Sequence, residues 1–321
     1  MNKLNQILVA MLVIQISLGV YTFWPSTTVA EAGAPLLADF NADNVTELTI
    51  SDGEGNEISL AKNEAGWVLP QAGDFPADGE KIAPLLEKVA GVQSGRLVTE
   101  TEGSQARLQV AADKFSRRLQ ITGQGGQTDT LYLGSSAGAG ATHVRVNDQP
   151  EVYLTDKITA FDANAQASAW IDPLYFTVPQ TATTGLTLEN GNGTFEFVKS
   201  GEAWTLADLS PNEIVNQGAI TALLNQAQTV NITEPVGRLS EAGSAFDAPL
   251  ATITLESGGQ TYRLTVGTQD SEDSSYLFSA SGSPYYVRVA QFSGDAFVTK
   301  SRADFLEAPP EPTDEEPIGD N

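Results

Sequence analysis

The sequence predicts an α+β protein: an N-terminal transmembrane helix followed by two tandem, structurally similar, mainly antiparallel β units, each with one principal helix. Three observations carry this. Leu4 to Trp24 contains no charged residue. A ten-residue stretch is written twice, GGQTDTLYLG at Gly125 to Gly134 and GGQTYRLTVG at Gly258 to Gly267. Around each copy, short alternating segments separated by turn residues surround a single stretch of helical period.

At about 1.5 Å per helical residue, Leu4 to Trp24 reaches roughly 31 Å, the thickness of a hydrocarbon layer. Tyr21 and Trp24 fall where interfacial aromatics belong, and Pro25 stops the helix. Lys3 precedes the run, and the next basic residue is Lys62, with seven acids between. That asymmetry orients the N-terminus to the cytoplasm and the body outside, periplasmic or extracytoplasmic. A cleaved signal peptide ending near Ala30-Glu31-Ala32 is the rival, and it exports the body equally. Residues 1–34 are therefore assigned to anchor and linker, 35–176 to the first unit, 177–306 to the second, and 307–321 to an acidic, Pro-rich tail expected to be disordered.

In the first unit, VTELTIS alternates, Asp52-Gly53-Glu54-Gly55-Asn56 turns the chain, and EISLAK and GWVLP return as strands. Asp78 can cap a helix that places Ile82, Leu85, Leu86 and Val89 on one face. RLVTE, RRLQITG, TDTLYLG, HVRVN and EVYLT then read as short strands. The second unit repeats the order: strands around Asn190-Gly191-Asn192-Gly193, a helix opened by Pro211 and carrying Ile214, Ile220, Leu223 and Leu224, four further strands, and a short helix near Phe292 to Phe305. Ala163 to Pro179 joins the units. Trp67 answers Trp204, Ile82-x-x-Leu85-Leu86 answers Ile220-x-x-Leu223-Leu224, and Gly134 to Tyr153 spans the same interval as Gly267 to Tyr286. Agreements in a common order argue for internal duplication. Within the repeated motif, Leu131 and Leu133, or Leu264 and Val266, point to the core. The closing glycine is expected to supply a backbone conformation closed to other residues.

Composition excludes several functions. With 17 basic and 41 acidic residues, the net charge of −24 leaves no basic stripe for nucleic acid. The absence of cysteine removes disulfides, thiolate metal sites and a cysteine nucleophile. No phosphate-binding Gly-Lys-Ser/Thr loop is present.

Local motifs carry little chemistry. Gly134-Ser135-Ser136-Ala137-Gly138 fits G-x-S-x-G, yet a nucleophile elbow needs a strand turning into a helix, and ATHVRV follows as a strand, so the segment reads as a Gly/Ser hairpin loop. His143, the only histidine, reads as a strand residue. Asp39 to Asn44 resembles the start of a calcium loop, but Asn44 stands where Gly belongs and Ile50 where a bidentate Glu belongs. Asp270, Glu272 and Asp273 read as a solvated loop, and Trp67 and Trp204 as packing residues. No catalytic, cofactor-binding or metal-ligating residue is assigned.

These residues together resemble the family catalogued as domain of unknown function 4340. The likeness rests on the single N-terminal span, LTI…EISLAK…GWVL, the I-x-x-L-L helix, FDAPLATITL before GQTYRLTVG, and the paired Tyr strands. The first copy departs from it, with AADKFSRRLQI where the second has Asp247-Ala248-Pro249-Leu250. The resemblance implies a membrane-anchored extracytoplasmic protein associated with gliding-motility-type ABC transporter components. The functional expectation is thus a non-enzymatic accessory protein, held at the membrane by its N-terminal helix, that binds a partner or substrate of an ABC-type transport or envelope complex, with a ligand placed in the cleft between the two units. The alternatives are an exported carboxylate-dependent hydrolase of envelope glycans or peptides, and a structural envelope module.

Overall fold

Alternation becomes sheet where it was expected. Strand β1 (Val45–Asp52) buries Leu48 and Ile50 and turns back through Asp52, whose carboxylate accepts the amides of Glu54 and Asn56 at 2.9 Å each. Strands β2 (Glu57–Asn63), β3 (Gly66–Leu69) and the two-residue β4 (Phe75–Pro76) complete one flank. Asp78 then caps helix α1 (Gly79–Ala90) through the Glu80 amide, and Ile82, Leu85, Leu86 and Val89 are all buried. Pro84, the sixth helical residue, forgoes only the bond to the Glu80 carbonyl. After edge strand β5 (Leu97–Thr99) comes a short helix α2 (Glu102–Arg107) that the sequence pattern does not predict. A meander follows: β6 (Arg117–Gly123), β7 (Thr128–Gly138), β8 (Ala141–Val146) and β9 (Val152–Thr155).

This computed structural model describes residues 33–308 together with Gln15. The expected membrane span, apart from Gln15, and residues 309–321 lie outside the described residues. Among the described residues no helix is long and apolar enough to cross a membrane.

The joining segment carries a short 3-10 turn (Ala167–Trp170) and strand β10 (Leu174–Thr177). The second sheet is built from β11 (Thr183–Asn190), β12 (Gly193–Ser200), β13 (Ala203–Leu206), β15 (Glu234–Arg238), β16 (Ala251–Ser257), β17 (Gln260–Gln269), β18 (Tyr276–Ala280) and β19 (Tyr285–Val289). Helix α3 (Gln217–Gln228) lies between β13 and a short strand β14 (Thr229–Asn231), which pairs with β10; helix α4 (Gln291–Val298) closes the chain with a 3-10 turn at Arg302–Phe305. The whole is a mostly antiparallel β structure with few helices.

The two sheets share a strand order. The first runs β4-β3-β2-β1-β6-β7-β8-β9-β5 and the second β13-β12-β11-β16-β17-β18-β19-β15, so only β4 lacks a counterpart. Cross-strand neighbours correspond as well. Ile50, Leu119, Leu131 and Val146 form one buried rung; Leu188, Ile253, Leu264 and Ala280 form the other. Buried residues of both sheets and of α1, α3 and α4 belong to one continuous apolar cluster.

Three expectations need correction. Pro211 does not open a helix: α3 begins at Gln217, where Asn216 accepts the Ala219 amide at 3.0 Å, and Ile214 is left on the surface. Gly134 to Gly138 is not a loop but the end of β7, and the hairpin turn lies beyond it at Ala139 and Gly140, both with positive φ. Nor do Gly134 and Gly267 adopt a conformation special to glycine. Each is instead crossed closely by another segment. A Cβ on Gly134 would collide with the Leu108 carbonyl, and one on Gly267 would lie 2.5 Å from the Ala245 oxygen. The same approach brings the Ser135 amide to the Leu108 oxygen at 2.9 Å and the Thr268 amide to the Ala245 oxygen at 3.2 Å. In both sheets the ladder register also shifts across the glycine, between Leu133 and Ser136 and between Val266 and Gln269.

Candidate functional site

The edge of the second sheet faces the first across a groove. Strand β15 approaches the 3-10 turn Pro70–Ala72 after β3 and the turn Ala167–Trp170 of the joining segment. At one end the halves are fastened. The Tyr285 hydroxyl donates to the Asp74 carbonyl at 2.8 Å, its ring meets Phe75 edge-on at 5.0 Å, and Arg238 lies over its face at 5.5 Å while pairing with Asp74 at 3.6 Å. Gly73, at φ 67°, has Arg238 where a Cβ would stand. The joining segment is itself tied to α1: the Lys81 ammonium donates to the Ile171 carbonyl at 2.5 Å, and the Asp78 amide to the Trp170 carbonyl at 2.7 Å.

Beside these ties two hollows of about 400 and 320 Å³ adjoin, sharing Glu57, Ile58, Ala167, Glu234 and Arg288. Glu57 and Ile58 come from β2, Gln71 and Ala72 from the turn after β3, Ser168 from the joining segment, Thr233 to Val236 from the start of β15, and Arg288 from β19. These five segments are spread from β2 to β19.

Electrostatics in the groove are set by Arg288. Within YYVRV, Val287 and Val289 face the core and alternation turns Arg288 outward. Its guanidinium donates to Asp270 at 2.7 Å and to the Ser275 hydroxyl at 3.1 Å, and its Nε lies 3.4 Å from Glu234. The Asp270 carboxyl is held below its usual range, first by the Glu272 amide and then by Arg288. Asp273, which lines the wall, is lowered mainly by bonding to Ser275. On the opposite wall Glu57 accepts the Ser51 hydroxyl at 2.7 Å and sits 3.5 Å from Arg118. Each of these carboxylates is therefore positioned by a donor, and Asp270 and Asp273 stay ionised more firmly than a free side chain.

Of the residues singled out from sequence, Asp273 lines this groove and Asp270, in the same turn, pairs with Arg288 on its wall. The others do not. Ser136 accepts the Gly138 amide on β7, and the neighbour of His143 is Ser135. His143 Nδ1 lies 2.8 Å from the Ser135 carbonyl, an acceptor, so Nδ1 carries the proton there and cannot take one from the Ser135 hydroxyl at 3.2 Å. Asn41, within the calcium-like run, accepts the Asp43 amide at 2.9 Å and caps a single 3-10 turn. Among the described residues no group of three or more His, Asp or Glu side chains is set to hold a metal ion. Trp204 is buried, with its backbone held by both ends of the Gln217 amide, and Trp67 packs half-buried against the core. Sequence reasoning missed Arg288, Glu234 and Glu57; an Arg turned outward between two core valines is the one local feature that could have marked Arg288, and it says nothing of its partners.

The model of the family described as Domain of unknown function (DUF4340) matches residues 67–245, more than half of the chain. The chain belongs to this family. The match begins at Trp67 on β3, crosses the joining segment and ends at Ala245, the residue whose carbonyl meets Thr268, so the matched span includes parts of both sheets and the turn Ala167–Trp170 beside the groove. No curated protein and no solved structure matches the chain.

Proposed function

We propose that the protein is a non-enzymatic accessory subunit, anchored by Leu4 to Trp24 with its body outside the cytoplasmic membrane, that presents the groove between its sheets to a partner or substrate of an ABC-type transport or envelope complex. In this reading the two sheets are tandem copies of one duplicated unit. Their common strand order, matching rungs and twin close-approach glycines support that duplication.

The observation that carries the binding reading is the state of the groove's carboxylates. Hydrolysis of a glycoside by two acids requires one carboxyl kept protonated as the donor. Here Asp270 and Asp273 are shifted the other way, and Glu57 and Glu234 are engaged with arginines. Carboxylates held in place by donors on the walls of a concave junction suit recognition, which needs a defined charge pattern and no proton transfer. A single anchor holds such a surface close to a membrane partner and raises its effective concentration.

Purification of the full chain in mild detergent from cells that also make an ABC-type permease tests this. Recovery of the permease with the chain is expected; recovery of the chain alone contradicts it.

A further inference from the structure

The chain enters the folded body at a fixed place. The Ala34 carbonyl accepts the Ser94 amide at 3.0 Å and its hydroxyl at 3.1 Å, the Leu36 amide donates to the Val92 carbonyl at 2.9 Å, and Pro35 bridges Gln93. Gly33 lies against the Gly95 backbone with no room for a Cβ. The entry strand is therefore zipped to the segment that leads directly into β5.

Strand β5 itself exposes apolar side chains. Leu97 and Val98 on edge strand β5 are 53% and 43% exposed. Phe161, 96% exposed, belongs to the same pole: its neighbour Asp162 pairs with Lys88 on the last turn of α1, Lys157 packs on Gly91 at the end of α1, and the Leu154 amide donates to the Arg96 carbonyl. Isolated exposed apolar side chains are ordinary, but three gathered around one chain entry are not. Lys88, Arg96 and Lys157 balance Glu87, Asp156 and Asp162 here, and Glu100 and Glu151 lie toward the other end of β5. With those two acids the pole holds five acidic and three basic residues, a smaller imbalance than the 41 against 17 of the whole chain.

Eight residues, Pro25 to Glu31 and Ala32, separate Trp24 from Gly33. Fully extended they reach at most roughly 29 Å. We infer that the pole formed by β5, the end of α1 and the Ile158 to Asp162 loop faces the membrane, and that Leu97, Val98 and Phe161 rest in the lipid interface of the bilayer that the N-terminal segment spans. The inference rests on the anchored reading above. It orients the body: contact at the entry pole, added to the short tether, restricts tumbling and fixes the height and direction at which the groove is offered.

The native chain has no cysteine, so single labels are unambiguous. The full chain would carry a nitroxide on Leu97→Cys, Phe161→Cys, Phe292→Cys or Met11→Cys, in phosphatidylcholine nanodiscs. Collision with a water-soluble nickel chelate is then compared with collision with oxygen. Labels at Leu97 and Phe161 are expected to be shielded from the chelate several-fold relative to Phe292, which is 72% exposed on α4. If Met11 is shielded while Leu97 and Phe161 match Phe292, the anchor stands and the lipid-facing pole is refuted. If Met11 itself is open to the chelate, the anchor fails and takes the pole with it.

Discussion

Tyr285 and Asp74, 211 residues apart, are joined by a hydroxyl-to-carbonyl hydrogen bond of 2.8 Å at the end of the groove. Asp74 holds a positive φ of 62° in the β3–β4 connection, and its carbonyl takes the bond from the second sheet. Removing only the hydroxyl, in Tyr285→Phe, is expected to cost about 1 kcal/mol. Tyr285→Ala also loses the Phe75 edge contact and the Arg238 stack, and about 2–3 kcal/mol is expected. Urea unfolding of both variants checks the order.

The twin glycines give a paired test. Gly134→Ala and Gly267→Ala each push a Cβ into a crossing backbone carbonyl, and each is expected to lose about 1–3 kcal/mol or more. Gly191→Ala, where a Cβ meets nothing within 4 Å, serves as the control and leaves the urea midpoint almost unchanged. Unequal effects at the two glycines would argue against equivalent roles.

Within the groove, Arg288→Met removes the second-largest cause of the lowered Asp270 carboxyl while the Glu272 amide, the largest, remains. The Asp270 midpoint should therefore rise only part of the way to its ordinary value. Carbon-detected NMR titration of the carboxyl measures this directly.

At the far end of the second sheet, Arg302 grips Asp208 at 2.8 Å and Glu213 at 2.7 Å, and this holds the Glu213 carboxyl down to about 2 from an ordinary 4.5. A depressed carboxyl contributes stability above its unfolded value and loses it as pH falls through the folded one. The contribution is thus complete above pH 4.5 and disappears toward pH 2. Because the pair is open to water it should weaken with salt. Glu213→Gln is expected to flatten the stability profile over that window and to lessen its salt dependence, as followed by thermal unfolding.

Legibility in the sequence followed range of interaction. Helix α1 could be read directly, since Asp78, Ile82, Leu85, Leu86 and Val89 act within a few turns. The hairpin β6–β7 and its counterpart β16–β17 could be read from Gly, Gln and alternating Leu. Helix α3 was displaced because Pro211 is an equally good local start, and the choice falls to Asn216 through a cap bond and to Val215 through its bridge to Leu306. Helix α2 is six residues with no buried side chain and so has no period to detect. Gly134 and Gly267 stand out only as repeated letters, because what requires them, a carbonyl from a different segment, is tertiary. The groove was anticipated only as a cleft between two halves. Its charges come from Glu57, Glu234, Asp270 and Arg288, and nothing in their local sequence announces that they meet.

The central claim, that the groove between the sheets receives a membrane-complex partner outside the cell membrane, is tested most directly by photo-crosslinking in native membranes. A benzophenone is placed on Gln71→Cys, in the groove, or on Val198→Cys, on the exposed surface of β12. The account predicts that irradiation joins an ABC-type permease subunit to the position 71 label and not to the position 198 label. Equal capture from both positions, or none from position 71 in cells that contain the permease, would contradict it.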